Sequence, residues 1–182
     1  VISLFTAQEV YAGTVHWAKE FDRDFYDLIS RDPAYSTAIF AIDRGNKNPR
    51  KDIAKWSDTK DYTQYFFDEL FCPLYTLPSH INKADAVKIL KAYQEVYSPE
   101  DDKDAWFQGI KSICEPLGFA ADMKDYKQNP DNYKGNVGDV STVIRIAQTD
   151  RQNTPDLWSI LKLYGRQRVL QRIETAIKFW EM

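Results

Sequence analysis

The sequence predicts an all-α protein of roughly eight to ten helices of ordinary length. Three observations carry this expectation. Apolar residues recur at steps of three and four along nearly all of the 182 residues. Helix-opening residues stand in front of most of those runs. No stretch of five residues alternates polar and apolar with turn punctuation at both ends.

In order, Thr6-Ala7-Gln8-Glu9 has the form of a capping box. Behind it Val10, Val15, Trp17 and Ala18, then Phe21, Phe25, Leu28 and Ile29, keep helical spacing in one interrupted helix or two. Asp32 followed by Pro33 opens the next helix: Asp accepts the orphan N–H groups, and Pro supplies the first helical φ without needing a donor. Ile39, Ile42 and Arg44 continue it, and Gly45 is its expected stop. Asn46 to Lys51 is a polar basic loop, after which Ser57 caps a helix running through Tyr62, Tyr65, Phe66, Leu70 and Phe71. Pro73 and Pro78 then interrupt the pattern, which divides the chain into two candidate helical subdomains, 1–76 and 77–182. Asn82 opens a helix with Ala86, Ile89, Leu90, Tyr93 and Val96 on one face; Ser98-Pro99-Glu100-Asp101 starts another, with Trp106, Phe107, Ile110, Ile113 and Cys114, ending at Gly118. Asp122 to Gln128 reads as a short helix and Asn129 to Gly138 as a turn-rich connection. Val140 to Gln148 suits strand or helix by propensity, and its helical neighbours favour helix. Thr154-Pro155-Asp156 is a cap with a first-turn Pro leading Leu157, Ile160, Leu161 and Tyr164 to Gly165, and Val169, Leu170, Ile173, Ile177 and Trp180 face one side of a last helix.

Composition narrows the function by exclusion. Seven glycines are too few for phosphate-cradling loops, which weighs against nucleotide-binding α/β folds. Cys72 and Cys114 lie far apart behind no signal-peptide pattern and read as reduced, buried thiols of a cytoplasmic protein. His16 and His80, the only histidines, stand in no HExxH, CxxC or GxSxG setting. The acidic run Glu100 to Asp104 lacks the spacing and turn glycine of a calcium loop and suits a helix N-terminus. Neither catalytic residues nor a metal site are therefore expected. The net charge of −3 argues against a nucleic-acid binder until it is divided: residues 1–60, 61–139 and 140–182 carry 0, −6 and +3. Arg44 to Lys60 holds six bases against two acids, and Arg145, Arg151, Lys162, Arg166, Arg168 and Arg172 lie in the last third. These segments are either solvated helix faces or two walls of an RNA-binding surface.

Three blocks carry a resemblance. They are Asn48-Pro49-Arg50-Lys51-Asp52-Ile53-Ala54-Lys55-Trp56-Ser57-Asp58, the run from Tyr133 to Val140, and Arg145-Ile146-Ala147-Gln148-Thr149 followed by Thr154-Pro155-Asp156-Leu157 and Gly165-Arg166-Gln167-Arg168-Val169-Leu170. Together they resemble the C-terminal, anticodon-binding part of bacterial glutamyl-tRNA synthetases, in the class I aminoacyl-tRNA synthetase family, from about Thr14 to Ile173.

The resemblance implies an all-helical cage of two subdomains that grips an anticodon loop. It implies that Arg145 meets the middle anticodon base and that Thr154, Pro155 and Leu157 meet the first. Arg50 is then associated with telling a third-base cytosine from guanine. The family's catalytic half, with its HIGH-like and KMSKS-like signatures, has no counterpart among these residues. ATP and Mg belong to that half, so no cofactor is expected here, and the chain alone is expected to be inactive. Beginning at Val1 rather than Met also suits a piece of a longer enzyme. The implied partner is the anticodon stem-loop of tRNA(Glu), bound by a monomer away from any membrane. The alternatives are a helical protein-interaction module and, with no residues to support it, a stand-alone helical enzyme.

Overall fold

The Thr6 side chain accepts from the Glu9 N–H while the Glu9 carboxylate accepts from the Thr6 N–H, which opens α1 (Ala7–Phe21) with the anticipated capping box. The computed structural model describes all 182 residues, Val1–Met182. The interrupted run is two helices. Asp22 ends α1 and caps α2 (Arg23–Arg31), its carboxylate accepting from the Phe25 N–H at 3.1 Å. Asp32 ends α2 in the same way and caps α3 (Pro33–Ala41), with Pro33 in the first position. Two single aspartates thus joint three consecutive helices.

Asp22 also takes the Lys60 ammonium at 2.7 Å, and that bond, with the Phe25 N–H, holds its carboxyl below the usual range. A depressed folded pKa contributes stability above the unfolded value of about 3.9, and the contribution is lost as pH falls through the lower folded value. Asp22→Asn keeps the cap acceptor and removes the titrating charge. Its stability, followed by circular dichroism, should fall less steeply than the parent's below about pH 4. Parallel acid limbs would count against the pair.

Beyond α3 the elements depart from expectation in instructive ways. The helix stops at Ala41, and Asp43 (φ 56°) precedes Gly45 in the left-handed region. α4 (Asp58–Thr63) is short: the chain tightens into a 3₁₀ turn at Gln64–Phe66 instead of continuing to Phe71. Ser57 makes no cap bond. The Asp58 carboxylate instead takes the N–H groups of Ala54 and Lys55 in the turn before α4.

Asn82 caps α5 (Lys83–Val96) as read, but α6 (Lys103–Cys114) is capped by Asp102, while Ser98 accepts from Glu100 in the turn ahead of it. Gly118, at φ 90°, closes the 3₁₀ turn that follows α6. β1 (Phe119–Ala120) and β2 (Gly135–Asn136) form a parallel pair, with α7 (Met123–Gln128) between them. This pair is the one departure from an all-α chain, and two residues per strand are too few to show a period. α8 (Val137–Thr149) starts earlier than Val140, on a capping box formed by Asn136 and Asp139. α9 (Leu157–Tyr164) and α10 (Arg166–Glu181) are separated by Gly165 at φ 83°.

The chain builds two compact units, Val1–Cys72 with Pro155–Leu163, and Pro73–Thr154 with Tyr164–Met182. The sequence expectation kept 155–163 with the second half. It lies instead in the first unit, where the Asp156 N–H meets the Asp43 carboxylate at 2.9 Å.

In the first unit α1 packs on α2 and α3, with Val10, Ala18, Phe25, Ile29, Ile39 and Phe40 free of solvent. Gly13 lets the Trp56 ring lie against α1, since a Cβ there would come within 2.3 Å of it. In the second unit α5, α8 and α10 pack together and α6 adds to them, burying Ile89, Leu90, Ile110, Val140, Ile144 and Ile173. A buried polar knot ties this core: Arg172 Nη1 donates to the Gln148 carbonyl and to the Tyr164 hydroxyl, each at 2.8 Å, and its guanidinium lies over the Tyr164 ring. No helix is long and apolar enough to cross a membrane.

Candidate nucleic-acid interface

Arg50 sits on the loop that Trp56 anchors against α1. Its guanidinium forks onto the Asp52 carboxylate, Nε to Oδ2 at 2.7 Å and Nη2 to Oδ1 at 3.1 Å, and this hydrogen bonding raises its pKa. The pair is half-exposed, so it fixes orientation more than it adds stability. Arg50, Asp52, Asp43, Arg44 and Tyr62 line a crevice of about 20 Å³, room for one water molecule and not for a base. Burial, with the Asp52 charge adding, pushes the Tyr62 phenol up to about 12, so it stays a neutral donor.

Other bases of the Arg44–Lys60 segment divide by role. Arg44 reaches back to the carbonyls of Phe40, Ile2 and Phe5 and holds the chain start, and Lys60 pairs with Asp22. Lys47, Lys51 and Lys55 are exposed. In the last third Arg172 is only 4% exposed and belongs to the core knot, which removes it from any RNA-facing wall.

Arg145 lies on the partly exposed side of α8 between buried Ile144 and Ile146. Its Nη1 donates to the Thr154 hydroxyl, so two of the residues singled out by sequence meet within the second unit. Thr154 is therefore not the cap of α9. Asp156 is: its carboxylate accepts the Ser159 N–H at 3.0 Å and its carbonyl accepts from Ile160. Asp caps as well as Thr, and the Pro155 ring had pointed to a start two residues too early.

Pro155 and Leu157 belong to the first unit, and both are buried, Leu157 to 3% exposure. The Leu157 side chain, which the resemblance sets against the first base, thus has almost no exposed surface. Its neighbour Trp158 is partly exposed, with the Lys162 ammonium 5.5 Å from its ring centroid. The sequence reading passed over Trp158, although its place outside the apolar stripe Leu157, Ile160, Leu161 and Tyr164 marks a ring left off the core face. No three His, Cys, Asp or Glu side chains gather in a way that would hold a metal ion.

A family model described as an anticodon binding domain matches residues 49–177. The glutamate–tRNA ligase of Acetivibrio thermocellus is 41% identical over 177 residues, covering 97% of this chain and 32% of the relative. That of Clostridium perfringens strain 13 is 41% identical over 177 residues, with 95% and 32% covered. That of Sorangium cellulosum is 36% identical over 175 residues, with 95% and 31% covered. The chain spans about a third of the length of these relatives. With most of its length inside the matched segment, Arg50, Arg145 and the start of α9 included, the chain belongs to the anticodon-binding domain family.

Proposed function

We propose that this chain reads the anticodon loop of tRNA(Glu), as a monomer, within a glutamate–tRNA ligase. The ligation and its ATP and Mg chemistry fall to a catalytic half outside these residues, and the chain alone carries no ligase activity. Recognition of this kind needs placed donors and ring surfaces rather than acid, base or nucleophile.

What most supports the reading is the pairing of half-exposed Arg145 with Thr154. A hydroxyl that orients a guanidinium sets the plane in which its donors meet a base edge. In this reading Arg145 meets the middle base and Thr154 acts through it. The backbone at Pro155 to Leu157 and the Trp158 ring receive the first base, by N–H donation at a helix start and by stacking. Arg50, its plane fixed by Asp52, faces the third base from the mouth of its crevice.

The test is binding of a tRNA(Glu) anticodon stem-loop by fluorescence anisotropy at fixed ionic strength. Arg145→Ala should weaken it by about 1–3 kcal/mol, the order of one good base contact. The parent's affinity should also fall as salt rises. Unchanged affinity in the variant would sink the role of Arg145, and absence of salt-dependent binding would favour a protein-interaction module.

A further inference from the structure

We infer that Asp43 is a positioning residue that ties the start of α9 to the loop carrying Arg50, and so sets how the first anticodon base is received. The inference rests on the function proposed above. Asp43 is one of three non-glycine residues with positive φ, at 56°, a conformation that costs energy and persists where the surroundings over-determine it. Here they do. The turn is closed by the Arg44 N–H on the Ala41 carbonyl, and the Arg44 side chain bonds the carbonyls of Phe40, Ile2 and Phe5.

So held, the Asp43 carboxylate receives the backbone N–H of Asp156, 113 residues away in sequence, at 2.9 Å. Asp156 is the residue whose side chain caps α9 through the Ser159 N–H and hydroxyl. One carboxylate therefore fixes the cap residue's backbone, and the cap fixes the first turn carrying Leu157 and Trp158. Asp43 also lines the crevice of Arg50. Its reach to both places, and its strained backbone, are what a plain surface turn would not require.

The arrangement separates three roles by substitution. Asp43→Asn keeps an acceptor and tolerates positive φ while removing the charge; Asp43→Gly relieves the backbone and removes the acceptor; Asp43→Ala removes the acceptor and adds strain. The experiment measures the parent and these variants against the tRNA(Glu) anticodon stem-loop and against loops substituted at the first or the third base, with thermal melts alongside. Asp43→Gly is expected to bind about tenfold more weakly, the loss of one charge-assisted hydrogen bond, and to lose first-base preference with its third-base preference kept. Its melting point should stay near the parent's, because strain relief offsets the lost bond. Asp43→Asn should restore most of the affinity. Melting changes without any change in base preference would reduce Asp43 to a structural residue, and Asp43→Gly binding like the parent would overturn its positioning role while leaving the proposed function standing. A parent that binds no stem-loop would overturn the proposed function, and this role with it.

Discussion

Arg172→Ala should destabilise the second unit by about 3 kcal/mol. The side chain is 4% exposed and donates to the Gln148 carbonyl and the Tyr164 hydroxyl. Truncation leaves a hole in the core and strips two acceptors of a charged donor, in a place that water reaches poorly. The Gln148 backbone carbonyl still accepts the Tyr164 O–H at 2.8 Å, so what is lost is its second, charged donor and the one to the Tyr164 hydroxyl. Lysine should recover only part of the loss, since an ammonium cannot reproduce the planar guanidinium that lies 4.7 Å from the Tyr164 ring centroid. Thermal and urea unfolding check this: a loss below about 1 kcal/mol would mean that the knot adds little to the second unit's stability.

The second large effect concerns a glycine whose substitution should change sign with context. Glycine inside a helix costs about 1 kcal/mol relative to alanine, so Gly13→Ala would ordinarily stabilise α1. Its Cβ, however, would meet the Trp56 ring at 2.3 Å, and displacing a packed indole costs roughly 1–3 kcal/mol. The net change in the parent is destabilisation; in a Trp56→Ala background the same change should stabilise by about 1 kcal/mol, a coupling near 2 kcal/mol. Gly109, inside α6, is the control: its Cβ would meet only Val96 at 3.7 Å, so Gly109→Ala should stabilise. If Gly13→Ala stabilises the parent, Trp56 does not anchor the Arg50 loop as described.

Helices were legible from sequence because their signals are local. The capping box at Thr6, the Asp32-Pro33 start and the Asn82 cap each lie within four residues of what they organise. The misplaced starts at Ser98 and Thr154 have one cause: a proline advertised a helix, and an aspartate closer to it made the cap. Non-local features left no trace. Nothing in the order of residues says that 155–163 builds into the first unit, that Asp43 meets Asp156, or that Arg172 turns inward while Arg166 stays exposed. For the interface, sequence picked out Arg145 and Thr154 without revealing that they bond each other. Nor did it show that Leu157, which the resemblance sets against the first base, is buried.

The jointing of the first three helices by Asp22 and Asp32 bears on how the chain can vary in length. One residue inserted or removed at Asp22 would turn α2 about its own axis by about 100° and swing Phe25 and Ile29, both fully buried, toward solvent. Neither joint has slack to absorb the rotation, since one aspartate serves as the C-cap of one helix and the N-cap of the next. Insertions and deletions in natural variants should therefore avoid 7–41 and gather in the exposed connection at 45–48, ahead of Arg50, and at 97–101, where no helix phase is at stake.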